Sequence, residues 1–201
     1  MTTPPRYDDL PRPADDPTGL PLSWGVWGPD DQVGTLNRIT DATVAAAREE
    51  IRDGRRFNLN LPLDEPFGAA LEGAHRRRAA PQPVMVKEEH PGRVTRDDRL
   101  DGFWLQASTQ WDGLSHFADP THGFYNHAPL SSIVHGAASR NGIDKALAHG
   151  IAGRCVLADL PRHFARTGDD WGPMGGRRAS PEDLAGCLGA QGVALRPGDI
   201  L

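Results

Sequence analysis

Hydrophobic and polar positions fall into short blocks separated by Gly and Pro, and only a few blocks hold a clear period. Residues 40–52 give the clearest helix. Thr40 or Asp41 caps it, Val44, Ala47 and Ile51 share a face, and Gly54 ends it. A second helix starts at Ser180-Pro181-Glu182-Asp183, where a cap is followed by Pro in the first turn and acids near the positive end of the dipole. Leu184 and Leu188 form its inner face, and residues 143–149 predict a shorter helix. Phe57, Leu59 and Leu61 alternate with polar residues, as in a half-buried strand. Val84-Met85-Val86 and Phe103-Trp104-Leu105 read as a strand pair across a polar turn, and residues 154–160 as a buried strand. Arg196-Pro197-Gly198-Asp199 is a turn signal, and Ile200-Leu201 reads as the opening of a further strand, so the fold is expected to continue past it. Strands outnumber helices without regular alternation, which predicts a mixed α/β domain with no internal repeat.

Composition adds boundaries to this pattern. Residues 1–22 are rich in Pro and Asp and read as an extended or disordered arm; order begins near Trp24 and Trp27, so residues 23–201 form one domain. Trp24, Trp27, Trp104 and Trp171 are expected in the core, and Arg76-Arg77-Arg78 in a solvated loop. The net charge of -5 gives no electrostatic reason to expect nucleic acid. There is no charged start followed by an apolar core and no apolar run of membrane-spanning length, so a cytoplasmic protein without membrane contact is expected. Cys155 lies in an apolar run and reads as a buried small hydrophobe; Cys155 and Cys187 are expected as two reduced thiols.

Candidate chemistry concentrates between Gln106 and Asn126. This Gly- and Pro-punctuated loop follows the apolar run at residues 103–105 and gathers Asp112, His116, Asp119 and His122. Loops at strand ends are where binding and catalytic groups are usually mounted. Gly175-Gly176-Arg177-Arg178 lacks the Gly-Lys-Ser/Thr ending of a phosphate loop, and no Gly-x-Ser-x-Gly elbow is present. No role falls to His135, His149 or His163.

Thr109-x-x-Asp112-x-x-x-His116-Phe117 resembles the signature of the cyclase family, which includes bacterial-type kynurenine formamidase and isatin hydrolase. The segments from Trp24 to Asn37 and from Gly153 to Asp159 resemble family landmarks in the same order. The resemblance implies a swivelling β/β/α fold, incomplete at the C-terminus here. It also implies an arylformamidase-like, metal-dependent hydrolase acting on a carbon–nitrogen bond of a formamide, amide or lactam, as in tryptophan catabolism. Asp112 matches the carboxylate that binds a divalent zinc or manganese, and His116 the histidine used in acid/base catalysis. Gln106 and Gln110 stand where two metal-binding histidines are expected, and a neutral amide oxygen is a poor replacement for imidazole. Trp111, Phe124 and Tyr125 are placed to wall a small aromatic substrate. The family likeness also implies a homo-oligomer. The short ligand set fits a second reading as well, a non-catalytic or truncated member that acts by binding or oligomerising.

Overall fold

The computed structural model describes residues 4–14, 16, 19–63, 80–148, 150–168 and 178–201. Arg76-Arg77-Arg78, His149, Trp171 and Gly175-Gly176-Arg177 lie outside these described residues.

Helix α1 spans Asp41–Ala47 and continues as a 3-10 turn over Arg48–Glu50. Its start is a reciprocal cap: the Thr40 hydroxyl accepts from the Thr43 N–H at 3.2 Å, and the Thr43 hydroxyl accepts from the Thr40 N–H at 2.9 Å. The helix is shorter than the apolar period predicts, and Ile51 stands 78% exposed beyond it. Residues 57–61 form no strand; Phe57 and Leu59 are exposed, because no neighbouring strand among the described residues offers them a ladder.

Strands β1 (Gln82–His90) and β2 (Arg93–Asp101) pair antiparallel from Gln82↔Asp101 to His90↔Arg93. Pro91-Gly92 makes the turn, with Gly92 at φ 82°, the left-handed value that a type II turn requires after Pro. This corrects the expected pairing: the partner of Val84-Met85-Val86 is Arg99-Asp98-Asp97, while Phe103 and Trp104 follow the sheet and Leu105 opens a 3-10 turn. Trp104 is 48% exposed, against the expectation of a core residue.

Helix α2 spans Ile143–Leu147, α3 Leu160–Thr167 and α4 Pro181–Gln191. Residues 154–160 form a single bridge instead of a strand: Cys155 pairs in parallel with Ile200, with the Val156 N–H donating to the Ile200 carbonyl at 2.8 Å. The segment turns helical at Leu160 because Asp159 caps α3 through the Arg162 N–H at 3.1 Å and Pro161 occupies its first turn. Among the described residues, helices outnumber strands, which corrects the opposite expectation.

Two patches of core result. Val156, Phe164 of α3 and Cys187 and Leu188 of α4 are buried in one, and Ala107 and Tyr125 of the 106–127 loop, Ala128 beside it and Ala146 of α2 in the other. Cys155 is exposed, which corrects its reading as a buried hydrophobe; with one bridge in place of a strand, its side chain has no sheet face to enter. Arg154 fixes the C-terminal turn to the end of α1: its guanidinium lies 3.3 Å from Asp199 and 3.8 Å from Glu50, which also pairs with Arg196 at 3.1 Å. A Cβ at Gly198 would sit 2.8 Å from Thr43 of α1, so this approach needs glycine.

Candidate active site

The loop is anchored to the segment at residues 24–37 by hydrogen bonds made far apart in sequence. The Tyr125 hydroxyl donates to Asp31 Oδ2 at 2.8 Å. Asn126 donates through Nδ2 to the carbonyls of Gly28 (3.0 Å) and Asp31 (2.8 Å), and its Oδ1 accepts from the Gly25 N–H at 2.8 Å. Asn126 has φ 54°, a left-handed value that asparagine tolerates better than most residues. Asn141, fully buried, donates through Nδ2 to the Tyr125 carbonyl at 2.9 Å and through its backbone to Gln32 Oε1 at 2.9 Å.

Asp31 organises this anchor. Its carboxylate also accepts from the N–H groups of Gly34 (2.8 Å) and Val33 (3.2 Å) and from Asn37 Nδ2 (2.7 Å). Burial, reinforced by the hydrogen bond to the Asp31 carboxylate and its charge, pushes the Tyr125 hydroxyl pKa well above its ordinary 10.0.

The candidate acid/base residues stand on this platform. Gly113, between Asp112 and His116, has no room for a side chain: a Cβ there would come 2.6 Å from the Ile143 nitrogen and 2.9 Å from the Asn141 carbonyl oxygen. The Ser115 N–H donates to that same carbonyl at 3.0 Å, and the His116 N–H donates to the Gly113 carbonyl at 3.0 Å. These bonds bring Gln110, Asp112 and His116 together. Gln110 Nε2 donates to Asp112 Oδ1 at 3.0 Å, and His116 Nε2 lies 3.9 Å from Asp112 Oδ2. Both partners of the pair are open to solvent, with side-chain exposures of 29% for His116 and 40% for Asp112. Gln106 is half-buried in the 3-10 turn Leu105–Ala107.

The expected aromatic wall is split. Trp111 is exposed, Phe124 half-buried and Tyr125 buried, so Tyr125 holds the loop together and offers little open face. Phe117, which the sequence reading gave no role, is 81% exposed and meets the His116 ring edge-on at 4.8 Å between centroids. Asp119 and His122 turn inward instead. Asp119 Oδ1 accepts from the N–H groups of Thr121 and His122, both at 2.8 Å, closing the bridge to Gly123. The His122 ring is nearly buried, 4.0 Å from the Asp16 carboxylate and edge-on to Trp24.

The donor set bears directly on a metal. A structural or catalytic zinc takes at least three protein ligands, chiefly imidazole, thiolate or carboxylate. Among the described residues no three His, Cys, Asp or Glu side chains gather closely enough to hold an ion. Gln110 turns an N–H toward the carboxylate, which is the wrong polarity for a cation ligand. The residues at this loop therefore do not fit a resident zinc or manganese by themselves.

The fold is similar to that of a solved cyclase. A solved structure described as a novel cyclase aligns with 98% of this chain at a TM-score of 0.74 and 29% sequence identity. The likeness supports a relationship to the cyclase family. The chain spans 61% of that protein's length. No family model matches the sequence, and no curated protein matches it either. No helix among the described residues is long and apolar enough to cross a membrane.

Proposed function

We propose that the protein hydrolyses a carbon–nitrogen bond in a small formamide, amide or lactam, with His116 moving the proton and Asp112 orienting it. The observation that carries this reading is the His116–Asp112 pair, 3.9 Å apart, mounted on a fixed backbone and open to solvent. That distance is longer than a hydrogen bond, and such pairs commonly tighten when substrate binds. A carboxylate that receives the Nε2 proton leaves Nδ1 as the basic nitrogen. His116 Nδ1 would take a proton from water as its oxygen attacks the carbonyl carbon, then return it to the leaving nitrogen as the C–N bond breaks. The products are a carboxylic acid and an amine, or a ring-opened amino acid from a lactam. Phe117 and Trp111 supply exposed rings against which an aromatic substrate can stack. The swivelling β/β/α arrangement implied by the resemblance belongs to the same proposal, as does a cytoplasmic location.

The test is hydrolysis of an aryl formamide by the purified chain, followed by release of the aromatic amine, with zinc and manganese added in parallel. His116→Ala is expected to lower kcat by about 100-fold or more, and Asp112→Asn by a smaller factor. Equal rates in the wild type and His116→Ala would remove His116 from the chemistry. The short donor set also favours a second reading, a cyclase-like binding protein without turnover. Saturable binding of the aryl formamide with no amine released under any metal condition would select it.

A further inference from the structure

We infer that the outer edge of β2 is a self-recognition surface on which a second copy of this chain adds its own β2, antiparallel, about a two-fold axis at Asp97. The hairpin is long and solvated. Every residue of β2 except Thr95 is exposed, and among the described residues the sheet has no third strand. An isolated two-stranded hairpin is marginal in water, and its edges present unpaired backbone groups.

The register fixes which groups those are. A two-residue turn makes His90 and Arg93 a hydrogen-bonded pair, and pairs alternate along an antiparallel ladder. Val94, Arg96, Asp98 and Leu100 therefore point their N–H and C=O groups outward on β2. On β1 the outward set includes Pro83, which has no N–H to offer, so that edge is blunted and β2 is the open one.

The side chains of β2 are complementary to themselves in one register. With Asp97 on the axis, Val94 meets the partner's Leu100, Arg96 meets the partner's Asp98, and Arg93 meets the partner's Asp101. The outward-facing backbone groups then pair with one another, as the ladder demands. A slide of two residues one way puts Arg96 against the partner's Arg96 and Arg93 against the partner's Arg99. A slide the other way puts Asp98 against the partner's Asp98 and Leu100 against the partner's Arg96.

Within one copy Asp101 pairs with Arg99 at 3.1 Å, but Arg96 and Asp98 face no opposite charge across the hairpin. Arg96 stands opposite Lys87, a like charge, and Lys87 is itself paired with Glu89. Asp98 stands opposite Met85. A second copy gives Arg96 and Asp98 the opposite charge that the hairpin withholds, and it covers Val94 and Leu100, which are 57% and 37% exposed. The Asp97 pair on the axis is the one unfavourable contact. Because β1 is blunted, association closes at a four-stranded sheet instead of growing into a fibre.

The experiment is sedimentation of the full chain over a concentration series by analytical ultracentrifugation, paired with amide hydrogen exchange. The wild type is expected to form a dimer in which the amides of 94, 96, 98 and 100 become protected as concentration rises. The amides of 95 and 97 report whether the hairpin itself is folded. Arg96→Asp is expected to raise the dimer Kd about tenfold or more, since it reverses two symmetric cross-strand pairs. The charge-swapped Arg96→Asp/Asp98→Arg chain should recover the wild-type Kd, and Asp97→Asn should tighten it. A wild type that is monomeric throughout overturns the inference. So does a dimer that ignores Arg96→Asp, or one that the double swap fails to restore while the 95 and 97 amides stay protected.

Discussion

Replacing Asp31 by Ala tests whether the platform beneath the candidate site depends on one carboxylate. Asp31 receives the buried Tyr125 hydroxyl, the Gly34 and Val33 amides and the Asn37 side chain. Hydrogen bonds to a charged acceptor contribute about 1.5–3 kcal/mol each, but they do not add in full when they share one group. Asn37 is exposed and can turn to water, whereas Tyr125 is 7% exposed and its hydroxyl would lose its acceptor. Asp31→Ala should therefore cost roughly 3–4 kcal/mol, and Tyr125→Phe, which removes one donor and leaves the rest, about 1–2 kcal/mol. At this chain length the larger value corresponds to a Tm loss of roughly 6–16 °C. Urea melts of wild type, both single variants and the double variant give the coupling. The double variant should cost less than the two singles together by about 1–2 kcal/mol, because loss of the carboxylate strands the same hydroxyl that Tyr125→Phe deletes. Additive costs, or an Asp31→Ala penalty below about 1 kcal/mol, would refute the claim that this carboxylate anchors the loop.

Two further outcomes follow from burial. The Tyr125 hydroxyl is neutral in the folded state well past its ordinary 10.0, whereas the unfolded chain ionises there, so stability is complete below that pH and falls as pH rises above it. The slope approaches about 1.4 kcal/mol per pH unit, and it should vanish in Tyr125→Phe; in a Tyr7→Phe background, tyrosinate absorbance should appear only well above pH 10, and a normal titration there would contradict the buried pair. Cys155 is exposed and Cys187 is 0% exposed, so a thiol reagent should label Cys155 in the native chain and Cys187 only after denaturation, read by mass spectrometry of the peptides.

What the sequence made legible was local. Ser180 and Pro181 start α4 as expected, with a reciprocal cap between Ser180 and Asp183, because capping involves groups close together along the chain. The Thr40 cap of α1 is equally local. Helix α3 was hidden although Asp159 and Pro161 carry the same cap-and-proline signal, since the apolar run before it imitates a buried strand. Strand β2 was hidden for the opposite reason: Arg93-Val94-Thr95-Arg96-Asp97-Asp98-Arg99 has no apolar face, and its pairing is set by the Pro91-Gly92 turn alone. At the candidate site, Asp112 and His116 were singled out by their loop and by the family resemblance, whereas Asp31, Asn126 and Asn141 were not. Several of their partners lie about a hundred positions away, and polar residues buried by such contacts leave no periodic trace. The two asparagines with φ near 54° and 59° are the trace that remained, each beside a Gly or an aromatic residue in a loop.

The separation of the platform from the groups proposed to react has a chemical consequence. The polar contacts that hold the loop involve backbone or residues facing inward: Asp31, Asp119, Tyr125, Asn126 and Asn141. Asp112 and His116 have one firm side-chain hydrogen bond between them, from Gln110 to Asp112 Oδ1. The backbone around His116 is held by the Gly113 and Asn141 carbonyls, while its imidazole stands 3.9 Å from Asp112 and edge-on to Phe117, a setting that suits the proton transfer proposed for it. A metal-ligating histidine is commonly locked by a second partner on its other nitrogen. The setting of His116 is in keeping with the proton-transfer role proposed for it. Gln110→Ala, by freeing Asp112, should lower kcat on an aryl formamide while its urea midpoint stays close to that of the wild type, since an exposed substitution of this kind moves stability by only about 0.5 kcal/mol. An unchanged kcat would mean that the orientation of Asp112 does not matter to the proton's path.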